Sequence, residues 1–137
     1  MRTLHNIDLK NNESGFTLRW QDRLILSHTA DVPCLWIGAG EADIEMFRGN
    51  FSIKDKLNEK IALTDATVTQ QSAGWAIRFT RGDAVSATLL VGVDADGRLE
   101  LKLKNDAPGH NRIWLRLAAQ PEDHIYGCGE QFSYFDL

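Results

Sequence analysis

The pattern that most constrains this chain is a two-residue alternation of apolar and polar side chains that recurs along most of its length. Phe16, Leu18 and Trp20 alternate with Thr17 and Arg19, and Trp75, Ile77 and Phe79 alternate with Ala76 and Arg78. Val85, Ala87, Leu89, Val91 and Val93 form a longer apolar series. Leu99, Leu101 and Leu103 are interleaved with Glu100, Lys102 and Lys104, and Ile113, Leu115 and Leu117 with Trp114 and Arg116. Side chains two apart in a strand share a face, so each series reads as a half-buried strand. Turn-forming residues fall between them: Ser72-Ala73-Gly74, Arg81-Gly82-Asp83, Asp94-Ala95-Asp96-Gly97 and Asn105-Asp106-Ala107-Pro108-Gly109. The third of these predicts a hairpin loop between the two best strands. Short alternating strands joined by such turns predict an all-β antiparallel β-sandwich.

One stretch is ambiguous. Phe51, Ile53, Leu57, Ile61 and Leu63 occupy odd positions, as in one long strand. Yet Ile53, Leu57 and Ile61 are also four apart, the residues between are good helix formers, and a strand would put Asp55 and Glu59 on its apolar side. The expectation is extended structure at both ends of 53–61 with a short helical turn between. Trp20, Trp36 and Trp75 are expected in the core. Trp114 falls on the far side of its strand, where it either joins a second layer or stacks on a sugar.

With 137 residues and no visible repeat or linker, the expectation is a single domain, 1–137. A chain this long buries roughly two thirds of its unfolded surface without disulfides or metal. Its net charge of −4 lacks the basic excess that dominates nucleic-acid affinity. It is also too short to hold a (β/α)₈ barrel, which takes about 250 residues. The first residues carry no signal-peptide pattern and no run is apolar enough for a membrane helix. With Cys34 and Cys128 far apart and read as buried thiols, the expected location is cytoplasmic.

Little in the spacing points to catalysis. No histidine, cysteine or carboxylate cluster has metal-ligand spacing, so no metal and no cofactor are expected. Asp94–Gly97 lacks the later positions of a calcium loop. Cys128 sits between glycines near His124, without a third group to complete a nucleophilic triad. No pair of carboxylates stands out for acid–base work.

The C-terminal end carries the sharpest signal. Tyr126-Gly127-Cys128-Gly129-Glu130-Gln131 combines two permissive glycines with a carboxylate and an amide, and Phe132, Tyr134, Phe135 and Leu137 follow. Apolar groups so close to the last residue suggest a natural chain that continues and packs them. The segment Gln120–Phe132 resembles the Tyr-Gly-x-Gly-Glu signature of glycoside hydrolase family 31. Asp43–Asp55 and Asn111–Gln120 are similar to the enterobacterial branch of that family, formerly described as α-glucosidases, that acts on sulfoquinovosides. The resemblance covers nearly the whole chain after the first dozen residues.

The resemblance implies the galactose-mutarotase-like N-terminal sandwich of a retaining α-glycosidase. Its partners would be the catalytic barrel of the same parent chain and, in the parent enzyme, sulfoquinovosyl glycerol or a related glycoside. No nucleic acid or membrane is implied. A retaining mechanism needs two carboxylates about 5–5.5 Å apart, and in the family these lie on the barrel. No catalytic residue is therefore assigned to this chain. The loop Gly127–Phe132 would reach the active-site rim. Glu130 and Gln131 would there meet sugar hydroxyls or brace barrel loops, or Glu130 would only satisfy backbone donors at the junction. An ordinary α-glucosidase or α-xylosidase, or a free-standing carbohydrate-binding module, is the alternative.

Overall fold

A computed structural model describes residues 2–4 and 6–126. Among these residues, eleven strands form three antiparallel sheets. The first is a meander of β1 (Arg2–Leu4), β2 (Ile7–Asn12), β3 (Gly15–Trp20) and β4 (Arg23–Thr29). The second joins β11 (Arg112–Leu115), β5 (Leu35–Phe47) and β6 (Asn50–Ala62) in that order. The third runs β10 (Leu99–Asn105), β9 (Val85–Val93), β8 (Gly74–Arg81), β7 (Asp65–Gln71). The all-β sandwich is as the alternation requires. Among the described residues no helix is long and apolar enough to cross a membrane.

The alternation becomes burial directly. Opposed residues of an antiparallel pair share a face, and in the third sheet Phe79 faces Ala87, Ile77 faces Leu89 and Trp75 faces Val91. All six are buried, together with Ile7, Leu9, Phe16, Leu18 and Leu26 of the first sheet and Leu35 and Ile37 of the second. One apolar core thus draws on all three sheets.

Among the described residues, one buried polar side chain ties them. His28 on β4 is 2% exposed and stacks on Phe16 at 5.4 Å, with Phe79 edge-on at 5.3 Å. The Cys34 amide donates to His28 Nδ1 (3.1 Å), which leaves Nε2–H to donate to the Thr64 carbonyl (3.0 Å). Those partners precede β5 and β7, so one neutral imidazole connects the first sheet to the strand entries of the other two. Burial holds its pKa below the usual histidine value, and the nearby Arg116 charge pushes the same way. The Cys34 thiol is buried, as expected, and burial pushes its pKa up to about 11. Cys128 lies outside the described residues.

The expected helical turn within 53–61 is absent. β6 is extended from Asn50 to Ala62 and pairs with β5 throughout, apart from a bulge at Asn58 opposite Ala39/Gly40. The bulge explains the misleading spacing. Ile53 and Leu57 lie on one face of β6, and the extra residue turns Ile61 to the other, opposite the buried Ile37. The two carboxylates on the strand are met from the β11 side. Arg112 donates to Asp55 at 2.5 and 3.4 Å, and His110 Nε2 stands 3.1 Å from Glu59 Oε2. The β5–β6 tip, Arg48-Gly49, has φ of 49° and 81°, the two positive values of a tight two-residue hairpin turn.

Candidate functional site

Two regions bear on the expected function: the outer face of the β11-β5-β6 sheet, and the segment that leads to Glu130 and Gln131. On the outer face Trp114 stands directly opposite Trp36. Trp36, expected in the core, is instead half-buried, because strand alternation sends its neighbours Leu35 and Ile37 inward. Gly38 lets Trp114 lie flat over the strand: a Cβ there would come within 2.8 Å of the indole and 2.4 Å of the Glu59 carbonyl. Lys60 Nζ sits 4.6 Å from the Trp114 ring centre and 5.5 Å from that of Trp36. A cation held by two indoles gains attraction from both ring faces. The lysine occupies ground that a stacked sugar needs, which weakens Trp114 as an open sugar platform.

The terminal segment is fastened at several points. Arg116 donates its amide to the Cys34 carbonyl (2.8 Å), and its guanidinium donates to the carbonyls of Ser27 (3.1 Å) and Val32 (3.2 Å). It thereby holds the β4–β5 loop against β11. The Ala118 amide donates to the Ile25 carbonyl at 2.8 Å. Gln120 and Asp123 close a turn on each other, the Gln120 amide donating to Asp123 Oδ2 at 2.8 Å and the Asp123 amide to the Gln120 carbonyl at 3.0 Å. Arg23, beside the β3–β4 turn, pairs with the Asp123 carboxylate. That guanidinium bond, followed by the Gln120 amide, holds the carboxyl below the usual range. Trp20, Ile25, Leu117 and Ile125 line a shallow groove beside this pair. Past it, the His124 and Tyr126 rings stack at 6.5 Å.

The backbone is thus fixed to the first sheet up to Asp123, four residues before the glycine-rich loop. Gly127–Leu137, including Glu130, Gln131 and the terminal aromatics, lie outside the described residues. The sequence reading missed the fastening itself. Arg116 reads only as a polar residue on its strand, Arg23 belongs to no pattern the sequence shows, and nothing local marks which carbonyls or carboxylate they meet.

No protein-family model matches the chain. It is 71% identical to a sulfoquinovosidase of Escherichia coli (strain K12) over 134 residues, 98% of this chain and 20% of that protein. A sulfoquinovosidase of Agrobacterium fabrum is 36% identical over 93% of this chain and 18% of its own length. This stretch of chain is similar to one part of these sulfoquinovosidases. The fold agrees: a GH31 family sulfoquinovosidase from E. rectale, solved with an aza-sugar inhibitor, superposes with a TM-score of 0.71 at 32% identity, over 94% of this chain and 19% of that one. The chain therefore spans about one fifth of the length of the sulfoquinovosidases it matches.

Proposed function

We propose that this chain is the non-catalytic N-terminal sandwich of a retaining α-glycosidase that cleaves sulfoquinovosides. The similarity over 98% of the chain to one fifth of a sulfoquinovosidase carries the reading. In it, residues 1–137 are one domain, the barrel of the same polypeptide supplies both catalytic carboxylates, and the sandwich packs against that barrel. The fastening of Arg116, Ala118 and Asp123 supports a further role. A backbone held that close to Gly127 aims the following loop in a defined direction, which a rim contribution by Glu130 and Gln131 requires.

A chromogenic sulfoquinovoside tests the reading. The 137-residue chain gives no turnover, and a polypeptide extended through a family 31 barrel does. Turnover by the short chain alone overturns it. In the extended protein, Glu130→Ala and Gln131→Ala raise KM if these side chains meet the sugar. If both kinetic constants stay unchanged while thermal stability falls, the pair only braces the junction.

A further inference from the structure

The β5–β6 hairpin outruns its sheet. β11 accompanies β5 only from Leu35 to Gly38, whereas β5 and β6 stay paired out to Phe47 and Asn50. From Gly40 outward the two strands form an arm about 25 Å long at strand rise, and every residue from Glu41 to Lys60 is exposed. A two-stranded ribbon exposed on both faces is marginal in water.

The register sorts the arm into two unlike faces. One carries Glu41 opposite Lys56 and Asp43 opposite Lys54, so opposite charges face each other along it, and its one large apolar group, Phe47 at the tip, lies under the Arg48 guanidinium. The other carries four cross-strand pairs in order from the base: Gly40 with Leu57, Ala42 with Asp55, Ile44 with Ile53, and Met46 with Phe51. Its large apolar side chains are 44% (Leu57) to 77% (Met46) exposed. Its one charge, Asp55, is neutralised by Arg112.

We infer that this apolar face is a self-association surface, on which two copies of the chain dock arm against arm in antiparallel fashion. Three features favour a second copy. Side-chain size grows from Gly40 and Ala42 at the base to Met46 and Phe51 at the tip. Two such wedges laid head to tail set large groups over small ones and keep an even sheet separation of about 10 Å. The face has no net charge, so placing it against itself brings no like charges together. Its five large apolar side chains expose on the order of 600 Å² in total, so mutual burial removes about 1,200 Å², the lower limit for a specific interface. A two-fold axis near Ala42 and Ile44 satisfies all three, and the small area implies a reversible, concentration-dependent dimer.

Sedimentation velocity on the 137-residue chain over a concentration series tests the inference. Wild type shifts from monomer to dimer. Ile44→Lys and Ile53→Lys each raise the dissociation constant at least tenfold. Lys54→Gln, on the opposite face, changes it less than twofold. Both isoleucines are exposed, so circular dichroism and melting temperature are expected to stay near wild type and separate lost docking from lost folding. A chain that stays monomeric to about 1 mM overturns the proposal and assigns the face to the rest of a longer polypeptide. A dimer indifferent to both isoleucine substitutions, or as sensitive to Lys54→Gln, overturns it equally.

Discussion

The side-chain amide of Asn111 makes with Gly40 the two hydrogen bonds that another strand residue would make with its backbone. The Gly40 amide donates to Asn111 Oδ1 and Asn111 Nδ2 donates to the Gly40 carbonyl, both at 3.0 Å. The Asn111 amide also donates to the Gly38 carbonyl at 2.9 Å. One residue thus carries the β11 ladder past its last paired strand residue and across the bulge where the arm begins. The bulge interrupts the β5–β6 ladder at that point, so the amide supplies the support the ladder lacks.

Asn111→Ala removes both side-chain bonds and leaves the Gly40 polar groups to water. The expected loss is about 1–2 kcal/mol of stability. Hydrogen exchange should quicken from Gly40 through Phe47 while β8 and β9 keep their protection. Equal acceleration in all three sheets would contradict a local role.

Gly38→Ala places a methyl group against both the Trp114 ring and the Glu59 carbonyl. The indole can move, but the backbone oxygen is held in the β5–β6 ladder. A cost of about 1–3 kcal/mol is expected, with a red-shifted tryptophan emission as Trp114 is lifted toward water. An unchanged spectrum and melting temperature would refute this packing.

His28 gives stability a pH dependence of known sign. The folded pKa lies below the ordinary value of 6.5 because the neutral ring is buried. Above 6.5 both states are uncharged at this site and the stabilisation is complete. As pH falls below 6.5 the unfolded chain binds a proton that the folded chain refuses, so stability drops until the lower folded pKa is passed. Urea midpoints measured between pH 5 and 7.5 should decline toward acid. His28→Phe should flatten that decline. The same variant should lose about 2–4 kcal/mol at pH 7.5, since the Cys34 amide and Thr64 carbonyl are left unpaired. An equal acid slope in both proteins would assign it to other groups.

Arg23→Ala frees Asp123 from its guanidinium partner. Limited proteolysis should then cut faster between Leu117 and Tyr126, with the melting temperature little altered, because the pair is solvent-exposed. In a polypeptide that includes the barrel, the same change should raise KM more than it lowers kcat if the segment aims a rim loop.

β8, β9 and β10 of the third sheet were legible because their apolar and polar side chains alternate face by face, and Val85–Val93 shows this without interruption; β7 (Asp65–Gln71) carries too few apolar residues to show it and was not read as a strand. The arm was not legible for the same reason inverted: both its faces are exposed, so alternation there reports no burial. The bulge at Asn58 then aligned apolar residues from two different faces into a four-residue spacing. Trp36 was misplaced because Cys34-Leu35-Trp36-Ile37 is apolar throughout, and an unbroken run does not say which side faces inward. The tip was missed because Arg48-Gly49 is not among the usual hairpin dipeptides, although its glycine has the required positive φ. The polar fastenings at His28, Asn111 and Arg116 join residues remote in sequence, which periodicity does not register.

Among the described ladders, all but one join strands that follow each other along the chain; β11 with β5 is the exception. During synthesis the hairpins can therefore form as soon as each emerges, at little loop-closure cost. The arm must wait. Its base is not braced until Asn111 and Trp114 have left the ribosome, more than fifty residues after its own tip turn at Arg48-Gly49. Through that interval the arm stands on the nascent chain with its base held only by the β5–β6 ladder, and a stall before β11 would leave that base unbraced and free to pair with other chains.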